Sequence, residues 1–235
     1  MRALHFFAVA AAALAFAATA PAASKADKSF TDSFAVDKSE LASTGTNRFF
    51  ILLPGHQSVF EGQDKGKTVQ LTITVLNETK LVDGVETRVV EERETLGGEL
   101  VEISRNYFAI STKTSDVFYF GEDVDSYKKG NITSHGGAWL SGVGGARFGM
   151  MMPGRPLLGA RYHQEVAPKV AMDRAEIVSL TESLETKAGK FENCLKTEET
   201  TPLEIGKSHK LYAPGVGLIS DGDVKLVKHG MLAKH

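Results

Sequence analysis

Apolar and polar residues alternate along most of this chain with the period of a β-strand. The stretch "VQLTITV" puts Val69, Leu71, Ile73 and Val75 on one face and Gln70, Thr72 and Thr74 on the other, which predicts a strand with one face buried. Asp83-Gly84 follows. Both residues accept the left-handed backbone that tight hairpins need, so the pair predicts a turn into "VETRVVEERET". Gly97-Gly98 leads into "ELVEISRNYFAIST", and "DVFYFG" reads as a short strand apolar on both faces. In that reading Tyr119-Phe120-Gly121 ends the strand, and Glu122 to Gly130 is a polar turn. Further turns are expected at Ala188-Gly189 and Asp221-Gly222.

The pattern gives about nine or ten strands joined mostly by short turns, with no long amphipathic helix. It predicts an all-β, single-domain antiparallel meander forming an open curved sheet or half-barrel, with a closed barrel or a sandwich as alternatives. A doubly wound nucleotide-binding fold is excluded, because strands do not alternate with helices.

The first residues break this pattern. Arg2 precedes an apolar run from Ala3 to Ala18, and small residues follow. This is the layout of a signal peptide, 1–22, with cleavage after Ala22. The run is too short to read as a membrane span. Residues 23–47 are polar and read as a flexible leader, 48–229 as the β domain and 230–235 as a tail. The expected location is periplasmic or secreted, with no integral membrane segment after signal removal. Cys194 is the single cysteine, so no internal disulfide and no lipid-bearing cysteine at the signal boundary are expected. An exported chain without disulfides fits a bacterial envelope. The formal charge is -2, and loss of Arg2 takes it to -3. That supplies no field suited to nucleic acid.

Chemistry is sparse in the pattern. "GVGGARFG" lacks the Lys-Ser/Thr ending of a phosphate loop, and Arg147 stands where a dinucleotide fingerprint needs its third glycine. Ser141 has Trp139 two residues before it, which fails the nucleophile-elbow pattern. Cys194 reads as a small structural hydrophobe. No two histidines stand at the spacing that shares a metal from one helix face. The acidic run Glu122, Asp123 and Asp125, with His135 downstream, is a candidate metal site. Tyr127 and the Lys128-Lys129 pair oppose a calcium loop there. Residues 134–159 hold eight glycines and three successive methionines. Phe118, Phe120, Trp139, Phe148, Met150, Met151 and Met152, in and around that segment, are the candidate ligand-binding residues, since methionine suits adaptable apolar surfaces.

The segments "YFGEDVDSYKKG", "MMMPGRPLLGARYHQE" and "KLYAPGVGLI" resemble a family of uncharacterised bacterial secreted β-rich proteins. Gly121 to Asp123, Pro153, Gly159, Tyr162 with Gln164 and Glu165, and Tyr212 to Gly217 carry the resemblance. It implies a single exported domain and brings no activity, cofactor or catalytic residue with it. The leading expectation is a non-catalytic exported protein that binds an apolar small molecule or lipid in a groove near the Gly/Met-rich segment. A metal-binding envelope protein using residues 122–125 and a hydrolase with a site assembled across strands are the alternatives. The cofactor is unknown at this level.

Overall fold

The protein is described here by a computed structural model covering residues 29–233. The expected signal peptide, its cleavage point and residues 23–28 of the expected leader lie outside the described residues. A short 3-10 turn, Lys38–Glu40, precedes the strands β1 (Leu41–Ala42), β2 (Gly45–Asn47) and β3 (Phe50–Leu52). Five long strands follow: β4 (His56–Asp64), β5 (Lys67–Val82), β6 (Val85–Leu96), β7 (Glu99–Ser111) and β8 (Val117–Lys128). The glycine-rich stretch supplies β9 (Asn131–Ser134), β10 (Trp139–Leu140) and β11 (Arg147–Met152), then β12 (Arg161–His163) and β13 (Glu165–Val166). The chain finishes with β14 (Arg174–Thr186), β15 (Gly189–Thr200), β16 (Ser208–Ala213), β17 (Gly217–Asp221) and β18 (Val224–Met231).

One antiparallel path runs β12-β14-β15-β16-β17-β18-β4-β5-β6-β7-β8-β11-β13. Its two ends, β12 and β13, are separated along the chain by Gln164 alone. The sheet is thus nearly closed into a barrel with one seam, and the chain itself crosses that seam at residues 163–165. The hairpin at Asp83-Gly84 forms as the pattern predicts, with φ of 50° and 77° at the two positions, the signature of a primed turn.

Side chains inside the barrel form two connected cores. One contains Val75, Val90, Phe108, Tyr119, Trp139, Ile177 and Tyr212. The other, toward the opposite end, contains Phe60, Leu71, Ile219, Val224 and Leu226. A third apolar cluster lies on the outer face of β6–β8, where Val89, Tyr107, Ala109, Phe118 and Phe120 would face solvent if nothing covered them. Residues 29–47, expected to belong to a flexible leader, pack over this face. Phe34, Val36 and Leu41 sit on it, and Arg88 fixes the segment by donating to Ser43 O at 2.9 Å and Thr44 Oγ1 at 2.7 Å. Burying this apolar surface offsets the entropy of ordering the segment.

The same segment straddles the seam. Thr31 pairs in parallel with Tyr162 on the free edge of β12, donating to Arg161 O at 3.1 Å and accepting from His163 N at 2.8 Å. Asp32 meets Arg147 of β11 at 3.3 Å. The seam therefore carries a strap that holds both of its sides and pairs an edge that would otherwise stand open.

One sequence-based expectation is corrected here. Glu122 to Gly130 is not a turn. β8 continues to Lys128, and the reversal falls at Lys129-Gly130, with φ of 52° and 79°. The register of β8 against β7 shifts between Tyr107↔Gly121 and Phe108↔Tyr119, leaving Phe120 as an extra residue. This bulge sets Tyr119 and Glu122 on the same inner face although they are three residues apart. Gly121, at φ 140°, permits it, since a Cβ there would lie 2.4 Å from Trp139 O.

Candidate functional site

Between the β4–β8 wall and the β15–β17 wall lies a cavity of about 80 Å³. Register explains its composition. Ser58, Ile73, Glu92, Ser104 and Val124 stand side by side across β4 to β8. Val75, Val90, Asn106 and Glu122 form the next row. On the facing wall Ile177, Thr197, Lys210 and Asp221 are aligned. Apolar side chains including Phe60, Ile73, Val75, Val90, Phe108 and Leu218 line most of the cavity, and Glu92, Asn106, Gln164, Glu165, Lys210 and Tyr212 complete it. Ile51 and His56 also border a second hollow with Asn47, Arg48 and Met231. They form the partition between the two spaces. Burial, followed by the charge of His229, holds the His56 imidazole below its usual pKa.

The interior is acidic. Glu92, Glu122, Glu165, Glu199 and Asp221 are all buried. Lys210 is the buried lysine among the described residues, with Nζ 2.9 Å from Glu199 Oε2 and 3.8 Å from Asp221 Oδ2. Burial opposes its charge, but Glu199 and Asp221 outweigh that and hold the ammonium protonated well above the usual lysine range. Glu199 also accepts from Gln164 Nε2 at 3.2 Å. Glu165 accepts from the Asp173 amide at 2.7 Å through Oε1, and Tyr119 donates to Asn106 Oδ1 at 2.5 Å.

Desolvation sets the protonation of the acids. Glu92 is pushed up to about 8 by burial, with Lys210 opposing and Asp221, Glu102 and Glu94 adding to the shift. Burial also pushes Glu102 to about 7 and Asp173 and Asp221 to about 6. Glu122 and Glu165 are raised well above the carboxylate range, again by burial first. At neutral pH Glu92, Glu122 and Glu165 are therefore neutral acids. Each can donate a hydrogen bond, or give up its proton if a cation takes the proton's place. Glu92 Oε2, Glu122 Oε1 and Glu165 Oε2 are buried with no hydrogen-bond partner.

The sequence-predicted ligand residues fall into separate places. Phe118, Phe120, Phe148 and Met150 belong to the outer cluster under Phe34, with Phe120 stacked on Phe148 at 4.8 Å. Trp139 and Met152 lie in the interior core, Trp139 edge-on to Tyr119 at 5.2 Å. Met151 is the member of the set that lines the cavity. The predicted metal residues are divided by the pleat. Glu122 points inward. Asp123 points outward, accepting from Lys80 Nζ at 2.8 Å and from Tyr107 OH at 2.5 Å. Asp125 lies 3.2 Å from Arg105 and 2.9 Å from His135 Nδ1. Among the described residues no three His, Cys, Asp or Glu side chains come together as a metal would require.

Sequence reasoning missed Glu92, Glu199 and Lys210. A signal was present: Glu92 stands two residues from Val90, and Lys210 two from Tyr212, on the same strand parity. A charged residue at an inner position reads as a break in the pattern unless the barrel's enclosure is known. Of the residues that carry the family resemblance, Gln164, Glu165 and Tyr212 line the cavity together, and Glu122 is buried in the interior near them without lining it.

No protein-family model and no curated protein matches this chain. Among solved structures, a candidate lipoprotein from Parabacteroides distasonis ATCC 8503 is similar at 14% identity and a TM-score of 0.40, over 80% of this chain and 100% of that one. A likeness of that size carries no argument about function. No helix among the described residues is long and apolar enough to cross a membrane.

Proposed function

We propose that this chain is an exported, non-catalytic binding protein that holds a small, mostly apolar molecule inside its barrel. The cavity supports the reading: it is apolar on most of its wall, with a few polar groups contributed by both walls, the usual make-up of a small-molecule site. Its volume of about 80 Å³ is roughly half that of an engineered apolar cavity of about 150 Å³ that takes benzene. A small molecule, or one end of a longer lipid passing the Ile51–His56 partition, fits that scale. Met151 brings the Gly/Met-rich segment to the site. The N-terminal signal pattern supports export.

Native mass spectrometry of protein purified from its own envelope tests the proposal. A retained mass that is absent from a Val90→Phe variant, whose added ring fills the cavity, is the expected result. Equal retention in both proteins contradicts it. A hydrolase is the second reading, favoured by one observation: Glu92 and Glu165 place two carboxyl groups in one cavity. Turnover of a p-nitrophenyl ester that is lost in Glu92→Gln would support it.

A further inference from the structure

The cavity's polar groups narrow the class of ligand, an inference that rests on the binding role just proposed. Glu92 and Glu165 both line the cavity, and both side chains are more than nine-tenths buried. Each keeps one buried carboxyl oxygen without a partner, whereas buried polar atoms in proteins are almost always satisfied. Most of the charges around them are negative. Glu92 is faced by Lys210 of β16, Asp221 of β17, Glu102 of β7 and Glu94 of its own strand. Glu165 is faced by Asp173, Glu122 of β8 and Glu199 of β15. Lys210 is the one positive group in that set, and it already serves Glu199 and Asp221. An anionic ligand would therefore enter an acidic interior. A neutral hydroxyl would satisfy an orphan oxygen without using the field. A cation carrying N–H donors does both, and charge-assisted hydrogen bonds are roughly twice as strong as neutral ones.

We infer that the barrel selects a small apolar molecule bearing a primary or secondary ammonium group, its nitrogen seated against Glu92 and Glu165 and its apolar body against Ile73, Val90 and Phe108. No covalent bond to the ligand forms or breaks. One carboxylic acid releases its proton to solvent and becomes the carboxylate that faces the incoming ammonium, so one proton leaves per ligand bound. Phe108 and Tyr212, both in the lining, add aromatic faces that favour a cation.

The test compares n-butylamine, 1-butanol and butyrate, which share a chain and differ in the head. Calorimetric titration at pH 7 in phosphate and in HEPES, two buffers with different ionisation heats and no primary or secondary amine, reads both affinity and proton release. The amine should bind at least tenfold more tightly than the alcohol, release about one proton and outcompete butyrate. Glu92→Gln and Glu165→Gln copy the neutral acids and should fold. Each should reduce amine affinity by a larger factor than alcohol affinity, so that the amine preference is lost. Equal binding of amine and alcohol, a preference for butyrate, or an amine preference surviving both substitutions overturns the inference and leaves the binding role standing. Failure of all three probes removes both. The comparison of heads on the unmodified protein decides the matter even if a variant does not fold.

Discussion

Lys210 holds its ammonium 2.9 Å from a Glu199 carboxylate oxygen, with the two side chains 5% and 6% exposed. A pair this deep gains little net stability from forming, because desolvation consumes most of the attraction, but it is costly to break from one side. Lys210→Met should therefore destabilise the protein by about 3–5 kcal/mol at pH 7, since Glu199 and Asp221 are left buried with no counter-charge. The loss should shrink at pH 5, below the value of about 6 to which Asp221 is raised, because that carboxyl then takes a proton. Urea denaturation at the two pH values checks both statements.

Stability should fall between pH 6.5 and 8. Glu92 is pushed up to about 8 in the fold, against an ordinary value of 4.5, so across this window the native state binds more protons than the unfolded chain. Stability then declines as pH rises, at up to about 1.4 kcal/mol per pH unit for each carboxyl that has ionised in the unfolded chain alone. Glu102, near 7, adds to the slope in the lower part of the window. His56 and His163, both lowered, act in the opposite direction, but mainly below the ordinary imidazole value of 6.5, which is why the window starts there. Glu92→Gln should lessen the slope by up to about 1.4 kcal/mol per pH unit, while Glu122 and Glu165, raised further still, sustain the rest. Chemical denaturation at half-unit pH intervals reads it directly.

The seam depends on a glycine. A Cβ on Gly149 would lie 2.4 Å from the carbonyl carbon and oxygen of Gln164 and 2.5 Å from His163 O, all backbone atoms that cannot turn aside. Gly149→Ala should cost about 3 kcal/mol, the upper end of overpacking, and displace Glu165 from the cavity. Gly144 is the comparison: a Cβ there meets nothing within 4 Å, although its φ of 60° is strained for alanine. Gly144→Ala should cost about 1–2 kcal/mol and leave the seam closed. Hydrogen exchange at β13 separates the two outcomes, rising in the first variant only.

The strap is held by packing more than by charge. The Arg147–Asp32 pair is exposed, at 54% and 59%, and such pairs contribute about 0–1 kcal/mol. Phe34 is half-buried, with its ring 5.9 Å from that of Phe118. Phe34→Ala should therefore destabilise by about 2 kcal/mol, less than a fully buried phenylalanine would, whereas Asp32→Ala should be nearly silent. Thermal melts of the two variants side by side check the ranking.

Much of the sheet was legible because period-two alternation and hairpin turns are local signals. Val69, Leu71 and Val75 are buried as "VQLTITV" predicts, and Asp83-Gly84 and Gly97-Gly98 make their turns. The closure was not legible, because pairing of β18 with β4 joins Lys225 to Glu61 across most of the chain. The candidate site was hidden for a related reason. The Phe120–Gly121 bulge changes the parity of β8, so Glu122 turns inward and Asp123 and Asp125 outward, and no local pattern announces that. Glu92 and Lys210 read as solvent-facing charges until the opposite wall is known. The leader was misjudged for want of its partner: Phe34, Val36 and Leu41 are too few to predict packing until the apolar outer face of β6–β8 is seen.

The most direct measurement is a ¹H–¹⁵N NMR titration of the folded protein with n-butylamine and 1-butanol. If the barrel interior is the binding site, saturable shifts will appear at Ser58, Ile73, Glu92, Asn106, Lys210 and Tyr212, residues of both walls, and will vanish in Val90→Phe. Shifts that do not saturate, that cluster on the outer face around Phe118 and Phe148, or that persist when the cavity is filled contradict the account.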